Sequence, residues 1–139
     1  MTDYCTAADL NLRFGAEEML ELTDRDADGV ADAGVLDAAI TDAGNTIDSY
    51  ISRRYDLPLS TVPARLLKIA CDLVRYDLHK EDPPERVTAA FKDAMAALRD
   101  IAAGRAVLDV AGAEPTGAKD DVIVEGPGRI FNEDTMGGF

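Results

Sequence analysis

Apolar residues recur at helical spacing over three long stretches of this chain, and Pro or Gly punctuates each of them. Over about residues 33–55, Leu36, Ile40, Ala43, Ile47, Tyr50 and Arg54 step by three or four, and Ala39 and Ile51 widen the stripe. Leu57-Pro58-Leu59 ends that helix, because a residue before Pro is pushed out of the α region. Val62-Pro63 opens the next helix, with Leu66, Ile69, Ala70, Leu73, Val74 and Asp77 or Leu78 on one face and an end near His79. The third runs from about Pro84 to Ala103, buries Val87, Phe91, Ala94, Met95, Leu98, Ile101 and Ala102, and uses Gly104 as its C-cap.

The N-terminal pattern is shorter. Thr6 is a good N-cap, and Asp9 stands where a capping box wants an acid, so a helix is predicted from about Ala7 to Arg13, stopping near Gly15. Ala16 to Leu22 forms a second short turn or helix, with Leu10, Phe14 and Leu22 as core anchors. Past Leu108 the chain becomes rich in Gly, yet it carries Val122-Ile123-Val124, Arg129-Ile130-Phe131, Met136 and Phe139. The expectation is an all-α fold: a small bundle of three long helices plus a short N-terminal one over residues 1–108, and an extended arm over 109–139. The arm's apolar anchors and Arg129 are candidate partner contacts, because a permanently solvated tail does not favour such residues.

Composition narrows what the bundle does. The chain has 139 residues, enough for one core, and its hydrophobic content of 47% argues against general disorder. With 27 acids against 14 bases, the net charge of −13 disfavours DNA or membrane-surface binding, both of which need clustered cations. Such acidity fits solubility, cation binding, or a surface that DNA passes without sticking. No signal peptide or long apolar run is read, so cytoplasmic synthesis is expected. Cys5 and Cys71 are too few and too far apart for a disulfide framework. Cys71 reads as a small buried hydrophobe, whereas the surroundings of Cys5 are open.

The sharpest local motif is Asp24-x-Asp26-x-Asp28-Gly29, the first half of an EF-hand calcium loop. Alternate acids converge on an ion where Gly permits the sharp turn. Val30 would offer its carbonyl and Asp32 a further carboxylate. The final bidentate Glu is missing, since Val35 stands there; Asp37 would serve only with altered loop geometry. Two readings stay open: a calcium site formed by Asp24, Asp26, Asp28, Val30 and Asp32, or a solvated acidic loop whose Asp32 caps the next helix.

Catalysis finds little support in the sequence. His79 is the sole histidine, placed near a helix C-terminus where a partly charged imidazole interacts well with the dipole. Neither cysteine has an activating base beside it, and no phosphate-binding or nucleophile-elbow motif occurs. Arg53 and Arg54 end a long helix, and either one can pair with acids of a neighbouring subunit.

An ordered set of short matches then points to a family. Tyr4-Cys5-Thr6 with Asp9-Leu10, Arg13-Phe14-Gly15, Leu22-Thr23-Asp24, the acidic loop and Ile47-Asp48-x-Tyr50 are followed by Arg54-Tyr55-x-Leu57-Pro58-Leu59, Val62-Pro63, Asp72-x-x-Arg75-Tyr76 and Ile101-Ala102-x-Gly104. This set, over roughly residues 2–108, resembles the head–tail connector (neck adaptor) family of Mu-like phages and prophages. The resemblance implies a structural virion protein made in the bacterial cytoplasm. It implies a ring, typically of about twelve copies, beneath the portal protein and above a tail-terminator or other neck protein, with DNA passing through the lumen. The alternatives are a calcium-dependent acidic interaction module and an acidic DNA-mimic inhibitor.

Overall fold

The computed structural model describes residues 3–59 and 61–108, and these fold into five α-helices. They are α1 (Ala7–Phe14), α2 (Ala16–Thr23), α3 (Val35–Ile51), α4 (Ala64–Leu78) and α5 (Glu85–Ala102). The fold is all-α, as the periodicity predicts. Helix α4 packs against both α3 and α5, which also touch each other, while α1 and α2 form a short hairpin. The stripes predicted for the long helices are the buried ones: Ile47, Ile51, Leu66, Val74, Leu98 and Ile101 are all fully covered.

Local chemistry sets the boundaries. At the N-terminus Thr6 and Asp9 form a complete capping box, with each side chain accepting the other residue's amide. Pro63 and Pro84 occupy the N-cap positions of α4 and α5, one place earlier than the first-turn position expected for Pro63. Helix α3 begins at Val35, not near residue 33, because Gly34 takes the left-handed conformation with φ of 82°. It ends at Ile51 rather than Tyr55, although the amides of Arg54 and Tyr55 still reach back to the Ile51 carbonyl.

The end of α5 shows why Gly104 is needed. The Gly104 amide donates to the Ile101 carbonyl and the Arg105 amide to the Asp100 carbonyl, the paired bonds of a Schellman motif. Its φ is +83°, and a Cβ there would lie 2.7 Å from the Arg54 guanidinium carbon. Beyond it the chain is anchored once more. Leu108 is buried, and its amide donates to the Tyr55 hydroxyl at 2.8 Å.

The α1–α2 hairpin is held to the bundle by more than Leu10 and Met19. Arg75 of α4 makes a two-pronged ion pair with Glu18, at 2.6 and 3.0 Å, and its guanidinium lies 4.3 Å from the Phe14 ring centre. On another side of α4, Tyr76 stacks on Phe91 with ring centres 3.9 Å apart. Asp72, nearly buried, is compensated by Lys68 at 3.0 Å one helical turn earlier. Among the described residues, no helix is long and apolar enough to cross a membrane.

Candidate functional site

The acidic loop leaves α2 and curls back on itself. Its entry is fixed by Thr23, a buried residue whose hydroxyl donates to the Met19 carbonyl and whose own carbonyl accepts the Asp32 amide. Asp24 then accepts two amides, from Asp28 at 3.0 Å and Gly29 at 2.8 Å, and so folds the loop around its own carboxylate. Asp28 accepts the Val30 amide at 2.9 Å, and Asp32 accepts the Arg25 amide at 2.8 Å. Positive φ at Ala27 and Gly29 makes the tight curl. The Arg25 guanidinium reaches the Leu78 carbonyl, which docks the loop beside the end of α4.

These bonds bring Asp24, Asp26, Asp28 and Asp32 together, with one oxygen from each within 4.8 Å of the others. Val35 begins α3 and packs against the core, so the twelfth loop position contributes no carboxylate. Asp37 lies outside the cluster. The expectation that Asp32 caps the following helix is not met. The N-cap of α3 is Gly34, without a side-chain cap bond, because the Asp32 carboxylate is committed to the Arg25 amide.

Crowding shows in the acids' protonation. For Asp24, desolvation works upward, but the amides of Gly29 and Asp28 and its contact with Asp26 bring it below the usual carboxylate range. Asp26 moves the other way, through desolvation, its hydrogen bond to Asp24 and the charge of Asp32. The two carboxylates thus shift in opposite directions because they lie side by side.

The two arginines separate. Arg53 is exposed at the end of α3. Arg54 instead turns inward and donates to the carbonyls of Ala102 and Ala103, so its guanidinium covers the C-terminus of α5. Its acceptors lie 48 and 49 positions along the chain, beyond the reach of local spacing. The remaining candidate contacts, Val122, Ile123, Val124, Arg129, Ile130, Phe131, Met136 and Phe139, lie outside the described residues.

Beside the acidic loop is a cleft of about 820 Å³ bordered by Arg25, Asp42, Tyr76, His79 and Lys80. Sequence reasoning did not find it, since its walls come from three separate segments. The His79 Nε2 is buried without a hydrogen-bond partner among the described residues. Desolvation lowers the His79 pKa, and the nearby Arg75 and Arg86 reinforce that against the pull of Glu18. This burial disfavours the charged imidazole at the C-terminus of α4.

Comparison with known proteins adds a lineage to this geometry. The family described as "Bacteriophage Mu, Gp36" matches residues 4–125, which is most of the chain. The chain belongs to that family. It is 31% identical to gene product J of Escherichia phage Mu over 139 aligned residues, covering 97% of this chain and 98% of the phage protein. It is also 32% identical to the Mu-like prophage FluMu protein gp36 of Haemophilus influenzae over 109 residues, or 78% of this chain and 77% of the prophage protein. The Gp36 match runs past Leu108, the end of the described bundle.

Several residues that carried the resemblance prove to hold the Gp36 bundle together. The Tyr4 hydroxyl donates to Asp48, and Arg54, Tyr55 and Arg75 each join elements distant in sequence. The acidic loop stands apart from them, because its side-chain bonds stay within the loop and gather four carboxylates within 4.8 Å of one another.

Proposed function

We propose that this chain is a structural virion protein, a head–tail connector subunit that assembles as a ring between the portal and the tail. The observation that carries this reading is its alignment with a phage Mu gene product over 97% of the chain. That alignment takes in most of residues 109–139, where the apolar anchors stand. The bundle is well suited to such a scaffold: Arg54 ties the segment after α3 to α5, Tyr55 ties it to Leu108, and Arg75 ties α4 to α2. The net charge of −13 suits a lumen through which DNA slides, because like charge prevents adhesion. Exposed Arg53 faces an acidic neighbour in the ring, and the tail-side contact is a tail terminator or other neck protein. Light scattering after size exclusion, on this protein with and without its portal protein, tests the proposal. Association with the portal at a fixed stoichiometry is expected. Failure to bind the portal, free or in capsids, would contradict it.

A second property is favoured by the convergence of four carboxylates within 4.8 Å. We read Asp24, Asp26, Asp28 and Asp32, with the Val30 carbonyl, as ligands of one calcium ion that stiffens the loop. Lacking the bidentate twelfth ligand, the site belongs with the weaker calcium loops, with a Kd roughly in the range of 10⁻⁴–10⁻³ M. Millimolar calcium should then raise the Tm by mass action, and Asp26→Ala combined with Asp28→Ala should abolish the rise. Because Asp26 holds its proton more tightly than an ordinary carboxylate, the calcium effect should fade as the pH drops into the carboxylate range. A wild-type Tm indifferent to calcium would leave only the hydrogen-bonded acidic loop.

A further inference from the structure

Helices α3, α4 and α5 do not close over one face of the bundle. A hollow of about 280 Å³ lies there, lined by Ala43, Thr46, Leu73, Tyr76, Phe91 and Met95. Tyr76, Phe91 and Met95 are only half-buried, so part of the Tyr76–Phe91 stack and the neighbouring thioether stay open to water. The hollow adjoins the larger cleft beside the acidic loop, because Ala39, Asp42, Tyr76 and Asp77 border both. The cleft adds two exposed cations, Arg25 and Lys80. Together they make one groove with an apolar part, two acids where the parts meet, and a part that carries the cations.

We propose that this groove is the docking site for residues 129–134 of a neighbouring copy of the chain. The inference rests on the connector reading for its ring, and it adds how the copies join. Arg129-Ile130-Phe131-Asn132-Glu133-Asp134 has the chemistry the groove asks for. Ile130 and Phe131 fit the apolar part, where a third ring would lie against Tyr76 and Phe91 and beside the Met95 sulfur. Glu133 and Asp134 follow about 10 Å further on in an extended chain, which carries them towards Arg25 and Lys80. Arg129 meets the acids Asp42 and Asp77. The other apolar group beyond Leu108, Val122-Ile123-Val124, has no ring and no adjacent cation, and it stays available to the portal with Met136 and Phe139.

The length of chain beyond the bundle favours a neighbour over the same copy. Ile130 stands 22 positions after Leu108, which is pinned to Tyr55 just past the end of α3. The groove lies along α5, whose 18 residues measure about 27 Å from end to end. About eight extended residues would cover that distance, whereas 22 reach up to roughly 70 Å, enough to cross to an adjacent bundle. Each copy then gives one segment and receives one. Such a head-to-tail contact is satisfied at every position of a closed ring. Copies held side by side on a portal present the segment at high local concentration, so a modest contact per copy suffices.

The test uses the full chain in two settings. Without portal, protein labelled at its methionine methyls is titrated with a synthetic peptide of residues 126–139. The Met95 methyl resonance should move to a saturating shift while that of buried Met19 stays in place, and a peptide carrying Phe131→Asp should move neither. Lys80→Glu, at an exposed position, should weaken the peptide by up to about fivefold. A Met95 resonance indifferent to the peptide would overturn the proposal, whatever the portal does. With portal, ordinary copies and copies labelled with heavy nitrogen are mixed, each carrying p-benzoylphenylalanine in place of Phe131, and irradiated. The expected product joins peptide 130–139 of one isotope to peptide 93–99, which contains Met95, of the other. Links confined within single copies, or running to the portal instead, would overturn the proposal. Failure of the chain to join the portal would count against the connector reading, and the peptide titration would still decide the groove.

Discussion

Truncation after Leu108 is expected to leave the helical bundle folded and to abolish attachment to portal-bearing capsids. All five helices lie between Ala7 and Ala102, and the chain is tied down once more where the Leu108 amide meets the Tyr55 hydroxyl. The cut therefore removes none of the described helices and none of the buried residues of the described core. What it removes is Val122-Ile123-Val124, Ile130, Phe131, Met136 and Phe139, apolar side chains whose burial on a partner gives binding free energy. In the proposed ring these contacts would repeat, so even a modest loss per copy would multiply into loss of the whole attachment. Circular dichroism and Tm of the truncated protein should match the full chain, while co-sedimentation with capsids should vanish. Truncated protein that joined capsids as well as the full chain would move the contact to the helical core.

Val74→Asp should have the largest effect on stability. Val74 is fully buried on α4, the helix that touches both α3 and α5. The nearby cations on this helix are engaged: Lys68 holds Asp72, and Arg75 holds Glu18. A new carboxylate in the core would thus be unpaired. The expected cost is about 4 kcal/mol or more, a large share of the 5–15 kcal/mol typical of a domain. Cooperative melting should disappear or shift down by tens of degrees. Leu12→Asp is the control, since Leu12 is 88% exposed and its replacement should cost less than about 0.5 kcal/mol. A Val74→Asp variant melting close to the wild type would contradict the described core.

The features legible in the sequence are those set by local spacing. The stripes Ile40-Ala43-Ile47, Leu66-Ile69-Ala70 and Ala94-Leu98-Ile101 repeat at helical periods, and all of these residues are buried. Thr6 with Asp9, and Gly104 after α5, are capping signals within a few residues of the ends they close. The clustering of Asp24, Asp26, Asp28 and Asp32 was legible for the same reason, since a loop of alternating acids with a Gly curls on itself. Long-range pairing was not legible. Arg54 carries two plausible roles in sequence, and only the fold brings the Ala102 and Ala103 carbonyls to it. Arg75 meets Glu18 57 positions away. Asp32 is a good cap by residue type, but the Arg25 amide competes for it and wins through loop closure.

The neck assignment is tested most directly by electron cryo-microscopy of complete particles produced from an induced prophage that encodes this chain. The expected result is a ring of this five-helix bundle at the head–tail junction, seated against the portal, with residues 109–139 in the contact. A head–tail junction built from other proteins, with this chain absent from the particle or placed elsewhere in it, would contradict the connector assignment.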